Sequence, residues 1–397
     1  MNQADKIKSM LMDDIHEMAS HPELFAKHPD KDFTRDRKLS AEDVLLFPVI
    51  MERDSVPREL LKYFDFSTGT PTPSAYYQQR SKLVPDTYRQ LLFTFNSHFL
   101  PLLYKDKYIL TGVDGSGFRI FHNPANAESY NPPTGRSTRG FNEIHVVAAY
   151  LLTDRTYTDA VIQPSKKKNE YSAFCSLIDG CRTDQGIPLF IADRGFPSYN
   201  MFAHAKEKGV SFLVRAKDLY VERLLGSSLS DLDNEFDITV DRIVTRSTTV
   251  KDRTCPENPQ QYRFVDKKTA FDYMAPGSSD EYHLRIRVVR AEVADGIYVN
   301  MVTNLPPEEC TMADLKILYY LRWGIETSFL ELKHAVGAVD FHCKAVEYVT
   351  HEVWARLLLY NFCSRITLLA VVEQKDTKHI YQVNYAMAIK NSHDFLR

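Results

Sequence analysis

The order of predicted strands and helices between about residues 105 and 216 restricts the fold of this chain more than any other feature. Short segments rich in β-branched residues, which are typical of strands, come first: YILTGVDG, FRIFHN, IHVVAAYLL and YTDAVIQP. A helix (EYSAFCSLIDGC), a strand (LFIADRG), a helix (SYNMFAHAKEKG) and a strand (VSFLVRAKD) follow. Strands followed by helix–strand alternation predict an α/β fold with a mixed sheet and flanking helices.

The segments on either side have different patterns. Residues 1–100 show helical periodicity and predict a helical N-terminal domain. Within it, SAEDVLLFPVIMERD begins with a Ser cap and an acidic first turn, and STGTPTPS joins two short helices, VPRELLKYFDF and AYYQQRSKLV. This pair has the outline of a helix-turn-helix, but such pairs also occur in ordinary bundles, so its contact with DNA stays open.

The second half of the chain predicts three further segments. Residues 217–305 alternate polar and apolar side chains between turn residues, which predicts a mostly antiparallel, β-rich insertion. Residues 306–345 contain a helix predicted from Thr311 to Val336, and residues 346–397 contain another predicted over about 349–373.

Composition narrows the functional classes only partly. The 397 residues carry a net charge of -3, so the chain lacks the global basic signature of many nucleic-acid binders, although a local groove can still be basic. The N-terminus has no apolar signal segment, and LLLYNFCSRITLLAVV is too short and too polar to span a bilayer. We therefore expect a cytoplasmic protein with reduced cysteines and no membrane contact.

Two aspartates follow apolar strand segments. Asp114 closes the apolar part of ILTGVDGSG, and Asp193 follows the strand in LFIADRGFPS. Each alone is compatible with a simple turn, but two strands that both deliver an Asp to a sheet edge indicate a site.

A third carboxylate lies on the predicted helix that contains YYLRWGIETSFLELK. At about 100° per residue, Tyr319, Arg322, Glu326 and Lys333 project within roughly 60° of one another, beside an apolar stripe that should pack on the sheet. A solvent-exposed Arg322–Glu326 pair is the simpler reading. It would contribute only about 0.3–0.5 kcal/mol and would leave the other residues unexplained.

Three converging carboxylates suit Mg²⁺, with Mn²⁺ as a substitute. Two such ions can activate an attacking oxygen and stabilise a leaving one in phosphodiester displacement. Arg322 and Lys333 would then neutralise phosphate oxygens. Other candidates for DNA contact are Arg215 and Lys217, which alternate on one predicted strand face, together with Arg194 and Trp323.

These residues resemble a known family. The spacing Tyr319-x2-Arg322-x3-Glu326-x6-Lys333 is similar to the signature helix of bacterial insertion-sequence transposases of the insertion sequence 4 group. The stretch from Asp193 to Phe196 resembles the group's second-aspartate motif, and Asp114-Gly115 resembles its first. The resemblance covers roughly residues 105–340.

The resemblance implies a ribonuclease-H-like catalytic core formed by residues 101–216 and 306–345, with a DDE triad of Asp114, Asp193 and Glu326 that binds two Mg²⁺ ions. Tyr319, Arg322 and Lys333 would contact phosphates, and the N-terminal domain would bind transposon ends. A homodimer would cleave double-stranded DNA at paired terminal inverted repeats, pass through a hairpin and insert into target DNA by cut-and-paste transposition. It would work in the bacterial cytoplasm, on the nucleoid when bound to DNA.

One feature departs from the hairpin-forming relatives, which use a Trp in the β-rich insertion to hold a flipped base. The only tryptophans here, Trp323 and Trp354, lie outside that segment. Tyr262, Phe264, Tyr282 or Tyr298 would have to stack instead. Two alternatives remain, an inactive DNA-binding regulator and a stand-alone nuclease with the same core. Glycoside hydrolysis fits less well, because Arg322 and Lys333 suit phosphate better than a sugar.

Overall fold

A mixed sheet of ten strands runs through the part of the chain that the computed structural model describes, residues 2–135, 138–248, 261–370 and 383–397. The strands are β1 (Tyr108–Ile120), β2 (Tyr130–Asn131), β3 (Phe141–Leu151), β4 (Thr156–Pro164), β5 (Ile187–Ala192), β6 (Ser211–Ala216), β7 (Phe236–Thr245), β8 (Tyr262–Phe264), β9 (Glu281–Ala294) and β10 (Ile297–Thr303).

The first half of the sheet has the order β4-β3-β1-β5-β6. The β3 strand is antiparallel to both β1 and β4, whereas β5 is parallel to β1 and β6 is parallel to β5. An antiparallel meander continued by two parallel crossover strands is the topology of a ribonuclease-H-like core. The predicted α/β class is therefore confirmed.

The β-rich segment continues the same sheet. The β10 strand pairs antiparallel with β6, starting from Asn300 opposite Ala216, and β9 and β7 add further antiparallel partners. The short β8 pairs parallel with β7 at the outer edge. The predicted strands of this segment are thus present, and they widen the core sheet on the side away from β1.

Helices cover both faces of the sheet and form the N-terminal region. They are α1 (Gln3–Ser20), α2 (Ala41–Ile50), α3 (Val56–Tyr63), α4 (Pro73–Arg80), α5 (Thr87–Ser97), α6 (Glu170–Gly180), α7 (Tyr199–Lys208), α8 (Asp218–Leu225), α9 (Met312–Leu321), α10 (Trp323–His334), α11 (Val346–Thr367) and α12 (Tyr385–Leu396). One face packs against α6, α7 and α8 and the other against α9, while α10 and α11 join the sheet to the helical N-terminal region.

The buried helix α11 joins the N-terminal helices to the core. Its residues contact α1, α2 and α5 as well as β4. A buried ion pair, from Arg80 Nη1 on α4 to Glu352 Oε1 on α11 at 3.2 Å, fixes the helices to each other. The predicted final helix thus forms, although α11 begins at Val346 and ends at Thr367, and residues 371–373 of the prediction lie outside the described part. None of the helices described is long and apolar enough to cross a membrane.

Candidate active site

Asp114 and Asp193 lie on adjacent parallel strands. Pairing of β1 with β5 ends where Val113 lies opposite Ala192, so the next residue in each segment is an aspartate: Asp114 within β1 and Asp193 just after β5. Neighbouring strands are about 4.8 Å apart, which brings the two carboxylates to the same edge of the parallel sheet. After Ala192 the chain turns away, with the Phe196 N–H donating to the Asp193 carbonyl at 3.2 Å.

The sequence prediction for the strand of Asp114 was wrong in one respect. YILTGVDG and FRIFHN are parts of a single 13-residue strand, and Asp114 lies in its middle, not at its end. The strand continues because β3 pairs with it as far as Ile120 opposite Asn142. Asp114 is therefore at the edge of the parallel pairing with β5, inside the antiparallel pairing with β3.

Gly112 allows the helix of Glu326 to approach β1 closely. A Cβ atom at Gly112 would lie 3.0 Å from Leu152 Cδ2 and 3.3 Å from Ile325 Cγ2. Ile325 is completely buried, and the next residue along α10 is Glu326. Direct packing of α10 on the glycine thus carries the third carboxylate toward Asp114.

The helix predicted from Thr311 to Val336 is two helices that meet at Arg322. Arg322 keeps helical dihedral angles (φ -51°, ψ -32°), but its N–H donates to the Tyr319 carbonyl and its carbonyl accepts from Ile325. These are three-residue spacings, so the chain makes one tighter, 3-10-like turn where the two helices meet.

The four polar residues of this region all reach the same side. The Tyr319 hydroxyl donates to Asp193 Oδ1 at 3.0 Å, and Lys333 Nζ donates to Ser116 Oγ at 2.7 Å. Arg322 Nη1 donates to Glu326 Oε1 at 2.5 Å. The predicted stripe therefore contacts the strand of Asp114 at Ser116 and contacts Asp193 directly.

Arg322 lies among the three carboxylates. Its side chain is buried, and its guanidinium is 5.4 Å from the ring centroid of Tyr319. Burial lowers the pKa of Arg322, but the Glu326 hydrogen bond and the charges of Glu326 and Asp193 outweigh burial and hold it above its ordinary value. The pair with Glu326 exists, yet it is not the solvent-exposed contact that the simpler reading requires.

The two aspartates have pKa values shifted in opposite directions. Burial raises the pKa of Asp114 to about 6, even though the Gly115 N–H and the Arg322 charge act against this. Burial also acts to raise the pKa of Asp193. Hydrogen bonds from the Arg194 N–H and the Tyr319 hydroxyl, with the charges of Arg322 and Arg215, nevertheless leave it below its ordinary value.

The donor set fits a hard divalent cation, since three carboxylates offer the oxygen ligands that Mg²⁺ and Mn²⁺ prefer. Among the described residues, the groups of three ligand atoms within 4.8 Å of one another are Glu52, His393 and Asp394, and Glu52, Asp54 and Glu59. The DDE candidates are not such a group, and two of them have other partners: Glu326 accepts from Arg322, and Asp193 accepts from Tyr319. A shared ion therefore has to compete with Arg322 for Glu326.

The other predicted DNA contacts are placed less closely. Arg215 Nη1 is 3.9 Å from Asp193 Oδ1, whereas the side chains of Arg194 and Trp323 are exposed. The prediction that Lys217 shares a strand face with Arg215 was wrong. The β6 strand ends at Ala216, and Lys217 is the exposed residue that caps the start of α8.

Sequence reasoning missed Ser116 and a pair on the opposite face of β1. Ser116 follows Asp114 at the period-two spacing of a strand, which is a signal that was present. His145 Nε2 is 2.8 Å from Glu170 Oε1, and a Cβ at Gly115 would lie 2.6 Å from that His145 nitrogen. No sequence signal joins His145 on β3 with Glu170 on α6, because their contact depends on the tertiary fold.

Comparison with known proteins gives one family match and a similarity to a solved structure. Residues 105–362 match the family model described as transposase DDE domain. Among solved structures, the chain is similar to the piggyBac transposase synaptic complex with hairpin DNA, with a TM-score of 0.44 and 9% sequence identity over 98% of this chain and 77% of that chain. The comparison with curated proteins gives no match.

Proposed function

Because the chain belongs to the transposase DDE domain family, we propose that it catalyses cut-and-paste transposition with Asp114, Asp193 and Glu326 as its catalytic triad. DDE transposases cleave and join DNA with the help of divalent metal ions, and this chain is a transposase. The identities of the catalytic residues, the route of second-strand cleavage and the choice of Mg²⁺ are the parts that we propose.

One observation carries the assignment of the triad. The aspartates follow directly on the last paired residues of β1 and β5, and the helix of Glu326 packs on β1 at Gly112, only two residues before Asp114. A simple turn or a solvent-exposed ion pair requires neither the positions of the two aspartates nor the packing of the Glu326 helix on Gly112. A site that must hold metal ions between two strands and a helix requires all of them.

The roles of the side chains follow from their chemistry. The triad would hold two Mg²⁺ ions, with Mn²⁺ as a substitute, and bound ions supply activation of the attacking oxygen and stabilisation of the leaving one. Tyr319, Arg322 and Lys333 would bind non-bridging phosphate oxygens of the transposon end. In the first reaction, a water oxygen bonds to phosphorus as the P–O3′ bond breaks, and the 3′-hydroxyl is released. In the second, the oxygen of that 3′-hydroxyl bonds to the phosphorus of another phosphodiester as the P–O3′ bond there breaks, and the 3′-hydroxyl of the attacked strand leaves with the proton.

Outside the triad, the exposed Arg194, Lys217 and Trp323 would extend the DNA contact, with Arg215 beside Asp193. We place the chain in the insertion sequence 4 group and propose that it works as a homodimer on paired inverted repeats in the bacterial cytoplasm.

For the hairpin route, we propose Tyr298 on β10 as the aromatic side chain that would hold the flipped base. Arg290 lies over its ring at 5.2 Å, so a cation accompanies the ring. By contrast, the Tyr282 hydroxyl is held by Glu207 at 2.6 Å.

Replacement of Glu326 by Gln tests the proposal. We expect strand cleavage at the inverted repeat in Mg²⁺ or Mn²⁺ to disappear, because an amide is a poor ligand for these ions, while binding of the end persists. Glu308 is exposed ahead of α9, so Glu308→Gln is a matched control that should cleave normally. Cleavage by the Glu326 variant at the wild-type rate would contradict its role as a ligand.

The same assay separates the alternative functions. A stand-alone nuclease would cut the repeat but would not join the released 3′-end to a second duplex. An inactive regulator would bind the end and leave it uncut with either metal.

A further inference from the structure

A groove of about 530 Å³ lies between the N-terminal helices and the far end of β1. We call it the β1-end groove. Its walls include Arg53, Tyr77, Arg119, Phe121, Asp340 and His342. None of these residues belongs to the candidate active site.

Two of the elements that position candidate catalytic residues, β1 and α10, lead toward this groove. The β1 strand runs from Asp114 to Ile120, and Phe121 follows in the groove wall. On the other side, α10 runs from Glu326 to His334, whose carbonyl accepts a hydrogen bond from Arg53 Nη2. The groove is thus a continuation of the active site along two structural elements.

Arg53 fixes the second of these walls. Gly337, three residues after α10, has a φ of +89°, and a Cβ there would lie 3.3 Å from Arg53 Nε. The same nitrogen is 3.5 Å from Asp340 Oδ2. A left-handed glycine therefore lets the chain turn tightly around the Arg53 side chain, which lies in the groove wall.

The groove leaves positive charge available to a ligand. Its carboxylates already have partners, since Asp340 faces Arg53 and Asp54 is 2.6 Å from Lys62 Nζ. Arg119 instead lies over the Phe141 ring at 4.8 Å, and Lys344 lies over the Phe121 ring at 4.7 Å. In the part of the chain that the structure describes, neither of these two cations forms an ion pair with a carboxylate.

Exposed aromatic rings accompany these cations. Phe121 is 49% exposed and Tyr77 is 42% exposed, which is unusual for rings that could be buried between two domains. Cations next to exposed aromatic faces suit a phosphate backbone with sugars and bases beside it. The groove has the chemistry of a nucleic-acid contact.

We propose that the β1-end groove binds the duplex of the transposon end, about seven base pairs from the cleaved phosphate. The seven residue-to-residue steps from Asp114 to Phe121 span about 23 Å at roughly 3.3 Å per step. A duplex lying along β1 covers that length with about seven base pairs at 3.4 Å each. The inference rests on the proposed function.

The occupant is the transposon end and not target DNA because the helix pair α3 and α4 borders the groove. Ser55, Val56 and Pro57 at the start of α3, and Tyr77 in α4, line it. These are the helices whose sequence has the outline of a helix-turn-helix. A duplex in the groove therefore touches both the catalytic strand and the helices best suited to read a sequence.

The test measures binding of the full chain, in EDTA, to duplexes that carry the inverted repeat found in the DNA flanking the reading frame. The short duplex has about 4 base pairs of repeat inside the cleavage position, and the long duplex has about 14. Binding is followed by fluorescence anisotropy across a salt series. The variant is Arg119→Ala with Lys344→Ala. The control is the double variant Lys206→Ala with Lys208→Ala on α7. Like Lys344, Lys206 lies over an aromatic ring, that of Tyr282, at 4.6 Å. Tyr282 is on β9, which is four strands from β1 in the order β1-β5-β6-β10-β9, so the control is remote from the groove.

On the long duplex, the variant should lose about 60-fold in affinity at 0.1 M salt, and the slope of log K against log salt should fall by about 2, because two phosphate contacts disappear. On the short duplex, the variant and the wild type should bind equally. A charge-preserving variant, Arg119→Lys with Lys344→Arg, should bind the long duplex like the wild type, which separates lost charge from lost folding.

Other results overturn the inference in distinguishable ways. The groove proposal would be refuted if the alanine variant bound the long duplex with wild-type affinity, or if the α7 control lost as much affinity. The proposed function would still stand if Glu326→Gln abolished cleavage. An equal loss on both duplex lengths would place the contact near the cleaved phosphate and refute the seven-base-pair position. A wild-type protein that neither binds nor cleaves the repeat would refute the proposed function itself.

Discussion

Replacement of Asp114 by Asn should stabilise the metal-free protein at neutral pH. The pKa of Asp114 rises from 3.8 in the unfolded chain to about 6 in the folded one, mainly through burial. Below about pH 4 the carboxyl group is protonated in both states and costs nothing. Above pH 6 it is ionised in both, and burying the charge opposes folding by about 3 kcal/mol, since one pKa unit is worth 1.36 kcal/mol. Asparagine does not titrate, so the variant avoids this loss.

The neighbouring Asp193 supplies a control of opposite sign. Its folded pKa is lowered by hydrogen bonds and nearby arginines, so its ionised form favours folding above the unfolded pKa, and this stabilisation disappears as the pH falls through the folded pKa. Asp193→Asn should therefore destabilise the protein at pH 8, and the effect should shrink toward acid pH.

Urea denaturation in EDTA, followed by circular dichroism between about pH 4 and pH 8, measures both effects. The free energy of unfolding of Asp114→Asn should exceed that of the wild type by about 3 kcal/mol at pH 8 and by nearly nothing at pH 4. The same sign for both variants, or a difference for Asp114→Asn that does not change with pH, would refute the claim that burial governs Asp114 and hydrogen bonding governs Asp193.

Two further substitutions test the packing around the site. Gly112→Ala should displace α10 and lower the cleavage rate by up to about 100-fold, since its Cβ would contact Ile325 and Leu152, whereas Gly135→Ala, which has open space, should cleave normally in the same assay. Glu352→Gln should lower the free energy of unfolding, measured by urea denaturation, by about 3–5 kcal/mol, because it leaves the buried charge of Arg80 without its partner. Glu347→Gln on the same helix removes only an exposed pair with Lys27 and should cost less than about 1 kcal/mol; comparable losses for both would contradict a special role of the buried pair.

The sequence predicted the order of the core because each element had a strong local signal. Apolar segments bounded by turn residues identified β5 and β6, and helical periodicity identified α6 before β5 and α7 between the two strands. The continuity of β1 was not predictable in this way. Its two glycines between Val113 and Phe118 interrupt the apolar pattern of the strand, and packing accounts for both. A Cβ at Gly117 would lie 2.6 Å from Glu143 Cδ, and one at Gly115 would meet His145.

The arrangement of the candidate site was predictable where it depended on helical spacing. Tyr319, Arg322, Glu326 and Lys333 share one side, and their spacing alone implied this. The pairing of Asp114 with Asp193 was not predictable in detail, because register between strands distant in sequence depends on the whole sheet. Lys217 was placed wrongly because period-two spacing continues past the strand end, and only the start of α8 shows that the strand has stopped.

Arg322 has the position expected of a group that connects DNA binding with metal binding. Its buried guanidinium is bonded to Glu326, and it acts electrostatically on Asp114 and Asp193. Three carboxylates so close together would repel one another strongly without a nearby positive charge. Under the proposed function, a phosphate at the transposon end would offer the guanidinium a second anionic partner, and a divalent ion would offer Glu326 a second cationic one. This exchange of partners would be nearly balanced in charge, so each binding event would make the other easier, and the site would bind metal ions best once the DNA end is in place.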